Sequence, residues 1–296
     1  MEHLIKIISK PDNIPIVLML GLTVFYTWFS MTKARRNDLQ DISDEAKLSD
    51  KVQVWPYLVK VEFLAALLIM AILTVWSVGL DAPLEQPANP ALTPNPSKAP
   101  WYFLGLQEIL VYFDPWIAGV VLPTLIIVGL CAIPYIDINP KGNGYYTFKE
   151  RPFAILTFMF GFLVLWVSLI VLGTFFRGPG WNIFMPWQEW DTHLVVALTN
   201  IDWSEWLPFH QPTRLVDGTL NPYAMLIGSI TVIGWYSLGF IYYFWKRQSD
   251  LMQKLGILRY SIVAFLFLTM MAVPVKVLLR IAFNIKYILV TPWFNI

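Results

Sequence analysis

Six long apolar stretches constrain the fold of this chain more than any other feature of its sequence. Each has about 20 mainly apolar residues, the length that a helix needs to cross roughly 30 Å of hydrocarbon. Because lipid offers no hydrogen bonds to the backbone, a spanning segment must satisfy its own backbone groups. The sequence therefore predicts an all-α integral membrane protein with six transmembrane helices and interfacial segments between them. The predicted spans are residues 14–32, 57–80, 116–136, 153–176, 223–245 and 258–279.

The composition agrees with a chain that lies in lipid. Of its 296 residues, 57% are hydrophobic and 14% are charged, whereas about a quarter of the residues in a soluble domain are charged. The formal net charge of +1 shows no excess of basic residues, which argues against nucleic acid as a partner. No small-residue cleavage site follows the first apolar run, so we expect a retained helix and not a signal peptide.

The distribution of Lys and Arg predicts the orientation of the helices. Short loops rich in these residues stay on the cytoplasmic (n) side of a membrane. Segments 33–56, 137–152 and 246–257 are rich in them, whereas the longer segments 81–115 and 177–222 are not. We therefore expect both termini and the two longer segments on the positive (p) side. We expect the membrane to be a bacterial inner (energy-transducing) membrane.

The chain offers few ligands for a redox metal. A single cysteine, Cys131, excludes an internal disulfide, a Cys-x-x-Cys-His haem attachment and a Cys-rich iron–sulfur site. The histidines His3, His193 and His210 all lie outside the predicted spans. A bis-histidine b-type haem needs facing imidazoles inside helices. We therefore expect this chain alone to bind no haem and no other metal.

Two predicted p-side segments differ in character from the spans. Residues 81–100 are so rich in proline that they favour an extended, semi-rigid connector. Residues 177–222 combine Gly and Pro with several tryptophans, whose rings favour the membrane interface. We expect part of this second segment to lie flat on the membrane.

After the connector the chain reads Ala99-Pro100-Trp101-Tyr102-Phe103-Leu104-Gly105-Leu106-Gln107-Glu108-Ile109-Leu110. This segment resembles the Pro-Glu-Trp-Tyr region of subunit IV and of the C-terminal half of cytochrome b. In that family the motif lies at the quinol-oxidation site, between the first two spans of the half. The resemblance covers residues 55–176, since Trp55-Pro56 opens the preceding helix and Arg151-Pro152 opens the next one after the n-side loop.

The resemblance implies a division of the chain into four regions. They are an extra helix and n-side loop (1–54), a three-span cytochrome b C-terminal-like domain (55–176), the tryptophan-rich p-side segment (177–222), and two extra helices with a tail (223–296).

The resemblance also implies a function and a set of partners. The chain would be a membrane subunit of a quinol:cytochrome c-type oxidoreductase, inactive alone, that forms part of the p-side quinol-oxidation site. It would support electron transfer and proton translocation. Its expected partners are a haem-bearing cytochrome b N-terminal-like subunit, a Rieske iron–sulfur protein, a c-type cytochrome and lipid, with quinol as the substrate.

The chain departs from the family pattern at the motif itself. Pro100 stands where the family has its glutamate, and proline cannot accept the proton that quinol oxidation releases. Glu108 is the nearest acidic residue in the segment, about two helical turns after Trp101 on nearly the same face. We hypothesise that Glu108 is the catalytic proton acceptor and that Pro100, Trp101 and Tyr102 bind the quinol. The alternatives are an interfacial Glu108 that faces water or a partner, and an interfacial belt of aromatic residues.

Other charged residues near the predicted p-side have simpler interpretations. We expect Asp114 to cap the following helix, because Asp is a favoured N-cap and Pro115 a favoured first residue. We expect Lys276 and Arg280 to anchor the last span or bind lipid headgroups.

Two functions of other kinds compete with the quinol-oxidation hypothesis. One is a quinone-binding membrane anchor for a different respiratory oxidoreductase. The other is a transporter, which should show paired ionisable residues within its spans or broken, repeated helices.

Overall fold

The computed structural model describes residues 2–11, 13–40, 52–81, 87–142, 144–194, 196 and 199–296. Six of the described helices are long and apolar enough to cross a membrane. The prediction of an all-α protein with six spans is therefore confirmed. The helices are α1 (Glu2–Ile8), α2 (Ile14–Leu39), α3 (Val54–Gly79), α4 (Trp101–Ile109), α5 (Ile117–Ile136), α6 (Pro152–Phe176), α7 (Trp203–Trp206), α8 (Pro222–Lys246) and α9 (Asp250–Phe283).

Two spans are much longer than predicted, for local reasons. Helix α2 continues to Leu39, because the charged residues that follow its apolar run are good helix formers. Helix α9 begins at Asp250, where the Ser249 side chain accepts a hydrogen bond from the Met252 amide. Gly256 interrupts α9 with a φ of 71°, so a short first segment precedes the apolar span.

The chain divides into two compact units, of which the first contains Met1–Pro94 and Lys141–Ile155. In this unit the end of α2 is tied to the loop that precedes α6. The Asn37 side chain donates to the Tyr146 carbonyl oxygen at 2.9 Å. The Asp38 carboxylate accepts from the backbone amides of Phe148 and Lys149 at 3.2 Å. Helix α3 has no buried residue, so its apolar side chains are exposed.

The second unit contains Asn95–Pro140 and Leu156–Ile296. Helices α8 and α9 form a hairpin in it that is held by hydrogen bonds between the helices. The Trp235 indole donates to the Leu268 carbonyl oxygen at 3.0 Å, and the Tyr260 hydroxyl donates to the Gly239 carbonyl oxygen at 2.7 Å. A Cβ at Gly239 would lie 3.3 Å from Ala264. Small residues and such hydrogen bonds hold helices together in lipid.

Helix α4 packs against helix α6. Helix α6 contains two π-helical turns, Phe160–Trp166 and Leu172–Phe176, and such turns often occur at functional sites. A Cβ at Gly173 would lie 2.9 Å from the Leu104 side chain. Gly173 therefore lets α4 approach α6 closely. Both helices join a core that contains Ile109, Tyr112, Phe113, Ala118, Leu169 and Val273.

The end of α9 is covered by two irregular segments that pair with each other. The backbone amide of Lys286 donates to the Ile201 carbonyl oxygen, and that of Trp203 donates to the Tyr287 carbonyl oxygen, both at 2.8 Å. Beneath them Lys276 is 1% exposed and donates to the Lys286 carbonyl oxygen. The prediction that Lys276 binds lipid headgroups is therefore wrong, because residues 284–296 fold back over its side chain.

Candidate functional site

The start of α4 is fixed by its own side chains. Pro100 is extended, with φ −51° and ψ 148°, so the helix begins at Trp101. The Gln107 side chain reaches back to the connector, where its oxygen accepts from the Ala99 amide at 2.7 Å and its nitrogen donates to the Ser97 carbonyl oxygen at 2.9 Å. One amide side chain therefore holds the connector against the helix that it enters.

A second set of contacts joins the connector to the end of α6. Lys98 Nζ donates to the Thr174 carbonyl oxygen at 2.8 Å and lies over the Trp190 ring. The Asn95 side chain accepts from the Gly180 amide at 2.6 Å. Carbonyl groups in the last turn of a helix lack intrahelical partners, so the Lys98 ammonium satisfies one of them. These contacts set the position from which the motif starts.

The predicted quinol-binding residues lie on an open surface. Pro100 is exposed, Trp101 is 37% exposed and Tyr102 is 51% exposed. The Trp101 and Tyr102 rings meet edge to face, with their centres 5.6 Å apart. This aromatic surface is therefore open to a ligand, lipid or another subunit.

Glu108 lies on the buried face of α4, and its carboxylate is paired inside the chain. It is 0% exposed, and Arg177, at the end of α6, is also buried. Arg177 Nη2 donates to Glu108 Oε1 at 2.6 Å, and Nε lies 3.1 Å from each carboxylate oxygen. The Tyr112 hydroxyl donates to Glu108 Oε1 at 2.7 Å. Glu108 therefore faces neither water nor a partner, unlike the interfacial residue of the alternative interpretation.

The environment of Tyr112 keeps its phenol protonated. Burial, followed by the charge of Glu108, raises the pKa of Tyr112 well above its ordinary value. A protonated phenol is a hydrogen-bond donor, and Tyr112 donates its proton to the Glu108 carboxylate. The buried group is thus a carboxylate held by one guanidinium and one phenol.

The sequence analysis did not identify Arg177 and Tyr112 as partners of Glu108, although a feature of the sequence pointed to each. Tyr112 follows Glu108 by four positions, the spacing of neighbours on one helical face. Arg177 is one of few basic residues in the predicted p-side segments and directly follows an apolar span. A buried carboxylate needs a partner, and both residues were candidates for that role.

Asp114 has the structural role that was expected of it. Its Oδ1 accepts from the Trp116 amide at 3.0 Å, and Pro115 opens the helical turn. Its Oδ2 accepts from the Asn295 side chain at 3.1 Å. The prediction of an N-cap is confirmed.

Acidic, His and Cys side chains do not gather into a metal site in the described part of the chain. No group of three or more of them there could hold a metal ion. His193 and His210 lie in the segment between α6 and α8. The His210 ring lies 2.9 Å from the Glu205 carbonyl oxygen.

Comparison with known families identifies the segment that carries this site. Residues 87–186 match the family described as cytochrome b(C-terminal)/b6/petD. The match begins after α3, includes α4, α5 and α6, and extends past Arg177. No solved structure matches the chain.

The family match and the six apolar helices support a multi-pass membrane subunit of a cytochrome bc- or b6f-type electron-transport complex. The resemblance drawn from the motif is confirmed. Over residues 87–186 the chain is therefore similar to the cytochrome b(C-terminal)/b6/petD family.

Proposed function

We propose that this chain is a membrane subunit of a quinol:cytochrome c-type oxidoreductase and forms part of its p-side quinol-oxidation site. The observation that carries the proposal is Glu108, a fully buried carboxylate in the same short helix as the exposed Trp101 and Tyr102. Ionisable residues at membrane depth are rare and usually mark functional sites. The family match over this segment supports the same assignment.

In this proposal the chain binds and orients quinol and accepts its proton. The quinol ring packs against Pro100, Trp101 and Tyr102, with the Tyr102 hydroxyl as a hydrogen-bond donor to the ring oxygen. Glu108 takes a proton from the quinol hydroxyl as the general base. Because Glu108 is buried in the structure, the side chains at the start of α4 must move to bring the hydroxyl within reach.

Electrons from quinol leave through redox groups of other subunits. The proposed partners are a Rieske iron–sulfur protein that passes one electron to a c-type cytochrome, and a cytochrome b N-terminal-like subunit whose b-type haems take the other. Proton release on the p-side, matched by proton uptake on the n-side, would translocate protons. This chain would supply binding and acid–base groups and would be inactive alone.

Affinity purification through a tag on this chain tests the assignment. We expect a haem-bearing subunit and a Rieske protein to copurify, with quinol-dependent reduction of a c-type cytochrome. A complex without a Rieske protein would point to a quinone-binding anchor of a different respiratory oxidoreductase.

Replacement of the proposed base tests the chemistry. In the assembled complex, Glu108→Gln should lower turnover by roughly 10²–10⁴-fold, the usual scale of acid–base assistance. Glu189→Gln makes the same change at an exposed position outside the site and should leave turnover unchanged. An assembled Glu108→Gln complex with the wild-type rate and pH profile would remove Glu108 from the mechanism.

A further inference from the structure

The two oxygens of the Glu108 carboxylate are unequally engaged. Oε1 accepts from the Tyr112 hydroxyl, from Arg177 Nη2 and from Arg177 Nε. Among the residues that the structure describes, Oε2 accepts from Arg177 Nε alone, at 3.1 Å, and shares that donor with Oε1. A carboxylate has about four lone-pair sites, two on each oxygen. Oε1 is therefore saturated, whereas Oε2 can still accept a proton.

We propose that Arg177 is a positioning residue, which fixes Glu108 through Oε1 and leaves Oε2 as the oxygen that takes the quinol proton. This inference rests on the function proposed above. Arg177 does not touch the quinol in it. The quinol O–H bond breaks, its proton bonds to Oε2, and Arg177 stays protonated throughout.

Hydrogen bonds fix both the side chain and the backbone of Arg177. Its Nη1 donates to the Trp181 carbonyl oxygen at 2.8 Å, so the guanidinium is fixed on the side away from Glu108. Its backbone amide donates to the Leu172 carbonyl oxygen at 3.1 Å and closes the last π turn of α6. The Phe184 amide donates to the Phe176 carbonyl oxygen at 2.8 Å and closes the following turn. The guanidinium is thus pre-organised, and little ordering is needed to hold the carboxylate.

Two buried polar atoms that flank Arg177 in the chain have no hydrogen-bond partner within the described ranges. They are Thr174 Oγ1 and Trp181 Nε1. Buried polar groups are nearly always paired, and exceptions are informative because they occur at strained or functional places. The hydrogen-bonding groups next to Arg177 are therefore less fully paired than those at an ordinary helix end.

The charges around Glu108 favour release of the proton after it is accepted. Tyr112 and Arg177 contact the carboxylate. Arg280, from α9, is a further charged group close to Arg177 and Tyr112. A proton on Glu108 leaves the buried Arg177 guanidinium without its anion, so loss of the proton restores the ion pair. Arg177 would then reset the base after each turnover.

Variants at Arg177 test this role in the assembled complex. Arg177→Lys keeps a positive charge but loses the planar pair of donors. Arg177→Gln loses the charge. We expect the turnover–pH profile to change in both variants, and to change more for Arg177→Gln than for Arg177→Lys. Arg214→Gln, at an exposed position of the same segment, should not move it.

A double variant separates this inference from the proposed function. A buried carboxylate without its partner destabilises a protein strongly, so Arg177→Gln alone can reduce assembly. Glu108→Gln with Arg177→Gln replaces both charges by neutral amides and should assemble, while its turnover falls as far as that of Glu108→Gln. If the double variant assembles and turns over normally, the function proposed for Glu108 is wrong.

The Arg177→Lys complex tests the positioning role directly. If Glu108→Gln is slow but Arg177→Lys changes only the amount of complex, with the wild-type pH profile and KM, then Arg177 is merely structural and the inference fails. Where Arg177→Gln does not accumulate, the pH profile of Arg177→Lys compared with that of wild type still separates a positioning role from a structural one.

Discussion

Lys98 and Trp190 form a cation–π pair in which the ammonium nitrogen lies 4.8 Å from the ring centre. The same ammonium donates to the Thr174 carbonyl oxygen at 2.8 Å. One side chain thus joins the connector, the end of α6 and the segment that follows it. The position of the exposed aromatic start of α4 depends on this junction.

Lys98→Met should loosen the junction, because it keeps the apolar stem and removes the ammonium. A hydrogen bond to a charged group contributes about 1.5–3 kcal/mol and a cation–π contact about 0.5–2 kcal/mol. We expect a lower midpoint of thermal unfolding and a higher KM for quinol in the purified complex. Lys254→Met removes an exposed lysine and is the control. Equal KM values for the two variants would contradict the role given to Lys98.

Gly228→Ala should destabilise the covering of α9. A Cβ at this position would lie 2.5 Å from the Ile288 carbonyl oxygen and 2.9 Å from the Leu289 Cα. Because backbone atoms cannot move aside as a side chain can, we expect a loss of about 1–3 kcal/mol, measured by thermal unfolding in detergent. Gly234→Ala is the matched control, since it lies in the same helix with nothing within 4 Å of the new Cβ. It should be neutral or slightly stabilising.

Tyr102→Phe should reduce turnover less than Glu108→Gln does. It keeps the ring that packs against quinol and deletes one hydrogen bond, which contributes about 0.5–1.5 kcal/mol. That corresponds to a loss of about 2- to 13-fold. Turnover and KM of both variants in the assembled complex give the order of severity, and the reverse order would exclude Glu108 as the main acid–base group.

Tyr112 should give the complex a recognisable alkaline dependence. Its pKa is raised in the folded protein, so its contribution to stability is fully present below the ordinary tyrosine pKa of about 10. It is lost as the pH rises toward the folded value. The stability advantage of wild type over Tyr112→Phe should therefore be constant between pH 7 and 9 and shrink above about pH 10. Tyr135→Phe, at an exposed position, should show no such trend.

The orientation of the chain can be tested with reporter fusions. The Lys and Arg distribution predicts that a reporter active only on the p-side works after residue 296 and fails within residues 246–257. The opposite pattern would put residues 100–108 on the n-side and would remove the proposed p-side site.

The spans were predictable because each needs a long apolar run, which leaves a plain trace in the sequence. The ends of the spans were less predictable, since charged residues extend α2 to Leu39 and the break at Gly256 divides α9. The N-cap role of Asp114 depends on adjacent residues and was predicted correctly.

The contacts that define the site depend on residues far apart in the chain, and no local pattern records them. Lys276 was expected at the lipid surface, but residues 284–296 bury it. Glu108 was singled out by its sequence context, whereas its partner Arg177 required the packing of α4 on α6. The π turns that shape this part of α6 have no signature that hydropathy could reveal.

The separation of Glu108 and Arg177 by 69 positions has a consequence for biogenesis. The ribosome makes the chain from its N-terminus, so α4 emerges well before the guanidinium that neutralises its carboxylate exists. Burial of an unpaired carboxylate in a low-dielectric environment costs free energy. We therefore expect α4 to stay at the aqueous interface until α6 has been inserted. Once α6 is inserted, Arg177 can pair with Glu108 and α4 can pack against α6. Assembly of the site would therefore follow the order of synthesis.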